Sequence, residues 1–230
     1  MTPARETNAQ PVLAPAWPIE TERLLLRPFA PTDLEALYAI YADEGNVRYL
    51  YHEARMRDEV QDLLERKAAG AALTAEGDWL SAAAVSRESG DTVADVSLLW
   101  ASELHKQGEI GFIVHPSHQG RGYATEAARP LLAFAFETLG LHRVFGRVEP
   151  RNVGSTRVLE KLGMRQEAHL IENEWVKGEW QSEAIYAILD RRVGWTEPAF
   201  AEAGDGPCVI LMVGACSGRN FRVEPGVRDL

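Results

Sequence analysis

From about residue 19 the chain alternates short apolar runs with amphipathic stretches. TERLLLRPF, ended by Pro28, predicts a strand, and APTDLEALYAIYA then predicts a helix: Leu34, Leu37, Tyr38 and Tyr41 fall at i, i+3, i+4 and i+7. Thr32 and Glu35 are spaced as a capping box for it. Val60, Leu63, Leu64 and Ala68 predict a second helix, followed by a loop bracketed by Gly70 and Gly77. DWLSAAAV, DTVADVSLLW and GEIGFIV read as three strands with short connections, hence antiparallel. Apolar positions 128, 131, 132, 135, 136 and 139 mark a long helix closed by Gly140, with a modest bend expected at Pro130. HRVFGRVEP is a further strand, STRVLEKLG a short helix closed by Gly163, and RQEAHLIENEWV and QSEAIYAILD two last strands. The expected fold is α+β: a mixed, mostly antiparallel sheet of about seven strands flanked by four helices.

Composition sets the boundaries. Residues 1–18 carry four prolines without hydrophobic periodicity and read as a flexible leader, so the folded domain is expected over 19–193. Residues 194–230 change character, with an apolar run between Cys208 and Cys216 set among glycines. Two readings of that extension stay open: a tail or added edge strand, or an arm that forms a homodimer or covers a pocket. Two cysteines this late build neither a disulfide framework nor a four-cysteine zinc site, and the six histidines form no HxH or HxxxH ligand pair, so no metal is expected. A net charge of −10 argues against nucleic-acid binding by phosphate neutralisation. No run approaches a membrane span and the N-terminus lacks the apolar core of a signal peptide; the expected address is the cytoplasm.

The candidate chemistry lies at residues 115–126, HPSHQGRGYATE, between a strand and a helix. A helix N-terminus leaves about four amide N–H groups without intrahelical partners, and glycines let a ligand approach them. Gly120, Gly122 and Ala124 keep side chains away, while the helix dipole and Arg121 favour a diphosphate. The Walker lysine is absent, and the element order lacks the repeated βαβ units of a dinucleotide fold.

The run QGRGYA, residues 119–124, resembles the Q/R-x-x-G-x-G/A acetyl-CoA signature of the GNAT acetyltransferases and follows the right strand. TERLLLRPF and NVGSTRVLEKLGM, residues 152–164, are similar to the branch containing the ribosomal-protein N-terminal acetyltransferases; the resemblance spans about residues 19–192. It implies a GNAT-like sheet in which backbone groups of Phe112, Ile113 and Val114 hold the pantetheine arm. The amides of Gln119, Gly120, Arg121, Gly122, Tyr123 and Ala124 would take the diphosphate of acetyl-CoA, and Asn152 would steady the pantetheine. Many relatives place a tyrosine acid where this chain has Leu159; the same resemblance points to Ser155 as the group that attends the departing thiolate. Ser155 is also a natural helix N-cap, and the two roles are compatible. His118 stands where relatives often have an aromatic, which implies stacking on the turn.

Acetyl transfer to an amine needs a neutral nitrogen, a polarised carbonyl and a proton donor for the thiolate. An α-amine with a pKa near 8 is roughly one-tenth neutral at pH 7, whereas a lysine-like amine carries a handicap of ~3 kcal/mol. Alternation along ENEWV places Glu172 and Glu174 on one face and Asn173 on the other; the resemblance selects Glu174 as the base, acting through a water. The expected function is therefore N-acetyl transfer from acetyl-CoA to a primary amine, either a protein N-terminus or a small molecule, with a non-catalytic acyl-CoA-binding module as the competing class.

Overall fold

The computed structural model describes residues 12–192. Its centre is one eight-stranded sheet in the order β1-β2-β3-β4-β5-β6-β8-β7. The strands are β1 (Ile19–Glu20), β2 (Leu24–Arg27), β3 (Trp79–Ser86), β4 (Thr92–Ser102), β5 (Gln107–Val114), β6 (Arg143–Val148), β7 (Arg165–Val176) and β8 (Glu179–Leu189). All neighbours are antiparallel except β5 and β6. The helices are α1 (Leu34–Tyr41), α2 (Glu44–Val47), α3 (Arg57–Ala69), α4 (Tyr123–Ala133) and α5 (Val153–Lys161). The mixed, mostly antiparallel architecture is thus the expected one, with two elements more than periodicity indicated: β1 has two residues and α2 four, too short for either period to register.

The central strands are buried on both faces, which explains why β3, β4 and β5 read as nearly continuous apolar runs. Ile110, Phe112 and Val114 pack on one side with Ala127, Leu131, Val158 and Leu159 of α4 and α5. Ile113, Ala83 and Val85 face the other side, against Leu37, Ile40, Val47, Val60 and Leu64 of α1, α2 and α3. Within that second core lies an ion pair: Lys67 Nζ stands 2.7 Å from Asp95 Oδ2, which also accepts from Tyr41 Oη at 2.8 Å.

Several local expectations change. The second half of the expected leader is docked: Leu13 bridges Leu73, and Trp17 Nε1 donates to the Ala71 carbonyl at 3.0 Å. The capping box at Thr32 does not form; Pro31–Asp33 is a 3-10 turn in which Asp33 Oδ2 accepts from the Ala30 amide at 2.7 Å and pairs with Arg27. Pro130 lies inside α4 without ending it, and the hydrogen bonding changes to π over Phe134–Thr138, with the Leu139 amide reaching the Phe134 carbonyl. The extension at 194–230, and with it the arm proposed for a homodimer, lies outside the described residues.

Candidate active site

The parallel pair β5–β6 is in register only from Gln107↔Arg143 to Glu109↔Phe145. Beyond that point β5 stays paired with β4 through Ala94↔Val114, while β6 stays paired with β8 through Val148↔Ala184. The two strands therefore diverge, and Ile110–Val114 have no ladder partner on the β6 side. The side chains of Phe112, Ile113 and Val114 are buried, so what this edge offers a ligand is backbone N–H and C=O. A bulge at Gly111 is not the cause of the divergence: Gly111 pairs directly with Ser97, and the irregularity in β4–β5 is at Trp100/Ser102.

At the open end of β5 the chain makes a 3-10 turn over Pro116–His118 and enters α4. Gly120 and Gly122 both have φ in the left-handed region, 73° and 78°, and Gly122 is the N-cap of α4 with no side chain capping the helix. Gln119, Gly120 and Arg121 thus form the turn that leads to the Gly122 cap, and Tyr123 and Ala124 begin the first turn of a helix with no side-chain cap. A clamp from the other end of the domain fixes the turn. Glu126 accepts from Thr21 Oγ1 at 2.6 Å and from the Arg23 amide at 2.8 Å, and pairs with the Arg23 guanidinium. Arg23 Nη1 also donates to the Arg121 carbonyl at 2.9 Å, and its guanidinium lies 4.8 Å from the Tyr123 ring centroid. His118 lies 6.2 Å from the Tyr123 ring between centroids with the planes tilted by 54°, a tilted contact and not the stacking expected on the turn.

α5 follows β6 and packs beside α4 in the same core. Its cap is Asn152, whose Oδ1 accepts from the Ser155 amide at 3.1 Å; Ser155 is not the cap but a fully buried residue of the first turn. Asparagine at 152 takes the N-cap role towards the third helical residue, which leaves the serine inside the helix. Leu159, one turn further along α5, is a core residue with no exposure.

On the opposite face of the sheet, register sets Glu109, Arg147 and Glu183 side by side, since Glu109 faces Phe145 and Arg147 faces Ile185. Arg147 holds Glu109 with two bonds, Nη2–Oε2 at 2.8 Å and Nε–Oε1 at 3.2 Å, and its Nε stands 3.8 Å from Glu183. Burial pushes the Glu109 carboxyl above the usual range despite Arg147, and burial together with the nearby Glu174 charge does the same to Glu183. Tyr51, from the connection between α2 and α3, donates its hydroxyl to Glu174 Oε2. Burial and the Glu174 carboxylate push that phenol far above its ordinary value, so it acts as a donor and not as a phenolate.

The alternation expected along ENEWV fails. The β7–β8 register shifts between Leu170 and Glu174, and Glu172 adopts a left-handed φ of 47° with its amide donating to Ser182 Oγ. Glu172 is turned out to solvent, and Asn173, expected to look away, donates to Glu183 Oε2 at 3.2 Å. An irregularity of this kind breaks the period of two on which the expectation rested. Four site residues were not found from sequence: Tyr51, Glu109, Arg147 and Glu183. For Glu109 a signal existed, the single charge inside an otherwise apolar strand, whereas β6 carries two arginines, Arg143 and Arg147, with nothing in the sequence to choose between them. Tyr51 lies in a connection with no pattern to read. Among the described residues, no group of three or more His, Cys, Asp or Glu is placed to hold a metal ion, and no helix is long and apolar enough to cross a membrane.

Residues 23–165 match the family described as acetyltransferase (GNAT) domain. The chain is 28% identical over 172 residues to the uncharacterized N-acetyltransferase YnaD of Bacillus subtilis, covering 75% of this chain and 96% of that protein. It is 24% identical over 168 residues to the spermidine N(1)-acetyltransferase of Escherichia coli K12, covering 73% and 86%. The crystal structure of a GNAT-family acetyltransferase from Bacillus anthracis superposes with a TM-score of 0.68 at 28% identity, over 76% of this chain and 99% of that one. The family match covers more than half of the chain, and with these relatives it shows that the chain belongs to the GNAT acetyltransferases and is an acetyl-CoA-dependent N-acetyltransferase.

Proposed function

We propose that the protein acetylates a cationic primary amine that enters from the Glu174 face of the sheet, with acetyl-CoA lying along the β5–β6 gap. The residues present fit that co-substrate: an unpaired strand edge for the amide-bearing pantetheine and an uncapped helix start for the diphosphate. Bound there, acetyl-CoA supplies an activated acyl carbon. The amine nitrogen forms the new C–N bond as the C–S bond breaks, the electron pair leaves with sulfur, and Ser155 Oγ donates toward it. Glu174 receives the amine proton through an ordered water, and Tyr51 Oη fixes the carboxylate. Direct attack of this kind needs no acyl-enzyme, in keeping with the absence of cysteine from residues 12–192.

The observation that carries the acceptor class is the charge at the mouth of the gap. Arg147 pairs with Glu109 and stands 3.8 Å from Glu183, whose carboxyl in turn feels the Glu174 charge, so the cluster is anionic whenever its carboxylates are ionised. An acceptor with a second ammonium group, such as a polyamine, complements it. A second reading, a protein N-terminal α-amine, is favoured by the Asn152-x-x-Ser155 spacing with leucine at position 159, and such an amine makes the smaller demand on a base. Thiol release with acetyl-CoA, spermidine, monoamines of equal length and N-terminal peptides tests both, with product masses assigning the acetylated nitrogen. Turnover of polyamines well above monoamines supports the first reading, and turnover confined to peptides supports the second. Binding of acetyl-CoA without turnover of any amine would make the domain a binding module and defeat both.

A further inference from the structure

Asn46, the third residue of α2, is 2% exposed and has its whole carboxamide engaged. Its Nδ2 donates to the carbonyls of Ile40 at 2.9 Å and Val114 at 3.2 Å, and its Oδ1 accepts from Gln119 Nε2 at 2.7 Å. Val114 ends the open edge of β5 and Gln119 begins the glycine turn, so one buried side chain grips both segments that line the co-substrate cleft. The next residue ties α2 to the opposite side of the site. The Val47 carbonyl accepts from Lys177 Nζ at 2.8 Å, and Lys177 occupies the β7–β8 turn, three residues beyond Glu174. Four residues further along the chain, Tyr51 bonds Glu174 itself.

We propose that α2 couples the two halves of the site, with Asn46 as its positioning residue: co-substrate bound at 119–124 fixes Gln119 and Val114, and through Asn46, Val47 and Lys177 it fixes the hairpin that carries Glu174. The proposal rests on the assignment of residues 119–124 to the diphosphate. A buried carboxamide with every donor and acceptor satisfied has one good arrangement, since any shift of a partner leaves a buried polar group unmade. Displacements at Gln119 are therefore passed to α2 in preference to being absorbed, and α2 is bonded to the hairpin by a donor that likewise comes from the other element.

Backbone hydrogen exchange in the full chain, with CoA as the probe, tests this in wild type, Asn46→Ala and Lys177→Met. In wild type, saturating CoA should slow exchange at 120–126 and also at 172–183, the latter by at least roughly fivefold, the lower end of ordinary coupling between sites. Both variants should keep the slowing at 120–126 and lose it at 172–183. Lys177→Met replaces a side chain at a turn, so it reads the same connection should Asn46→Ala fail to fold. A hairpin whose exchange is unchanged by CoA in wild type, or is slowed equally in wild type and Lys177→Met, would overturn the coupling while leaving the cofactor site intact. No slowing at 120–126 in wild type would remove the diphosphate assignment, and the coupling with it.

Discussion

On the proposed mechanism Glu174 and Ser155 act from opposite faces of the sheet, and the chemistry separates them. Glu174→Gln should lower kcat by ~10²–10⁴-fold, most at low pH where the amine is protonated, and Ser155→Ala should lower kcat with acetyl-CoA affinity nearly unchanged. The size of the Glu174 effect also reports the acceptor. A polyamine nitrogen, protonated like lysine, should place it at the high end of that range and an α-amine at the low end. Full pH–rate profiles check both, and wild-type rates in the two variants would disprove the assignment. The family resemblance singled out Ser155 and Glu174, which the pattern of the chain alone does not. Sequence misread Asn173 and left Tyr51 unseen, because one depends on a strand irregularity and the other on a contact across 123 positions of chain.

At the scale of elements, the turn into α4 works through backbone conformation. Gly122 has φ 78°, and a Cβ there would meet only Arg23 Nη2 at an ordinary 3.5 Å, so conformation and not space is what demands glycine. Gly122→Ala should cost about 1–2 kcal/mol of stability, the price of an L-residue in the left-handed region, and weaken acetyl-CoA as the turn's amides shift. Urea unfolding and calorimetry of the same variant check the two effects; unchanged affinity in a folded variant would remove the turn from the site. The clamp behind the turn has its own pH signature. Burial pushes the Glu126 carboxyl up, but the donors from Thr21 and Arg23 outweigh it and hold the pKa below the usual range. A lowered folded-state value means that the stabilisation is complete above the unfolded value, about 4.3, and is lost as pH falls through the folded one. The melting temperature of wild type minus that of Glu126→Gln should therefore shrink as pH drops below about 4, and a difference independent of pH would contradict the clamp.

Among the described residues, the sheet separates two cores, and the one beneath α1, α2 and α3 contains a buried ion pair, Lys67–Asp95. Lys67→Met leaves Asp95, with no exposure, without its cation, and should destabilise the domain by ~3–5 kcal/mol in equilibrium unfolding. A change under about 1 kcal/mol, the size of an exposed pair, would show that Asp95 is solvated. The sequence by itself determined the element order, the mostly antiparallel sheet and the glycine turn, because periodicity, short connections and left-handed glycines are local properties that the chain states residue by residue. Only the tertiary structure decided where β5 and β6 part, since that follows from β5 remaining with β4 while β6 remains with β8. The same holds for the grouping of Tyr51, Glu109, Arg147, Glu174 and Glu183. Their meeting depends on strand order and on one register shift, and neither is written within reach of any single motif.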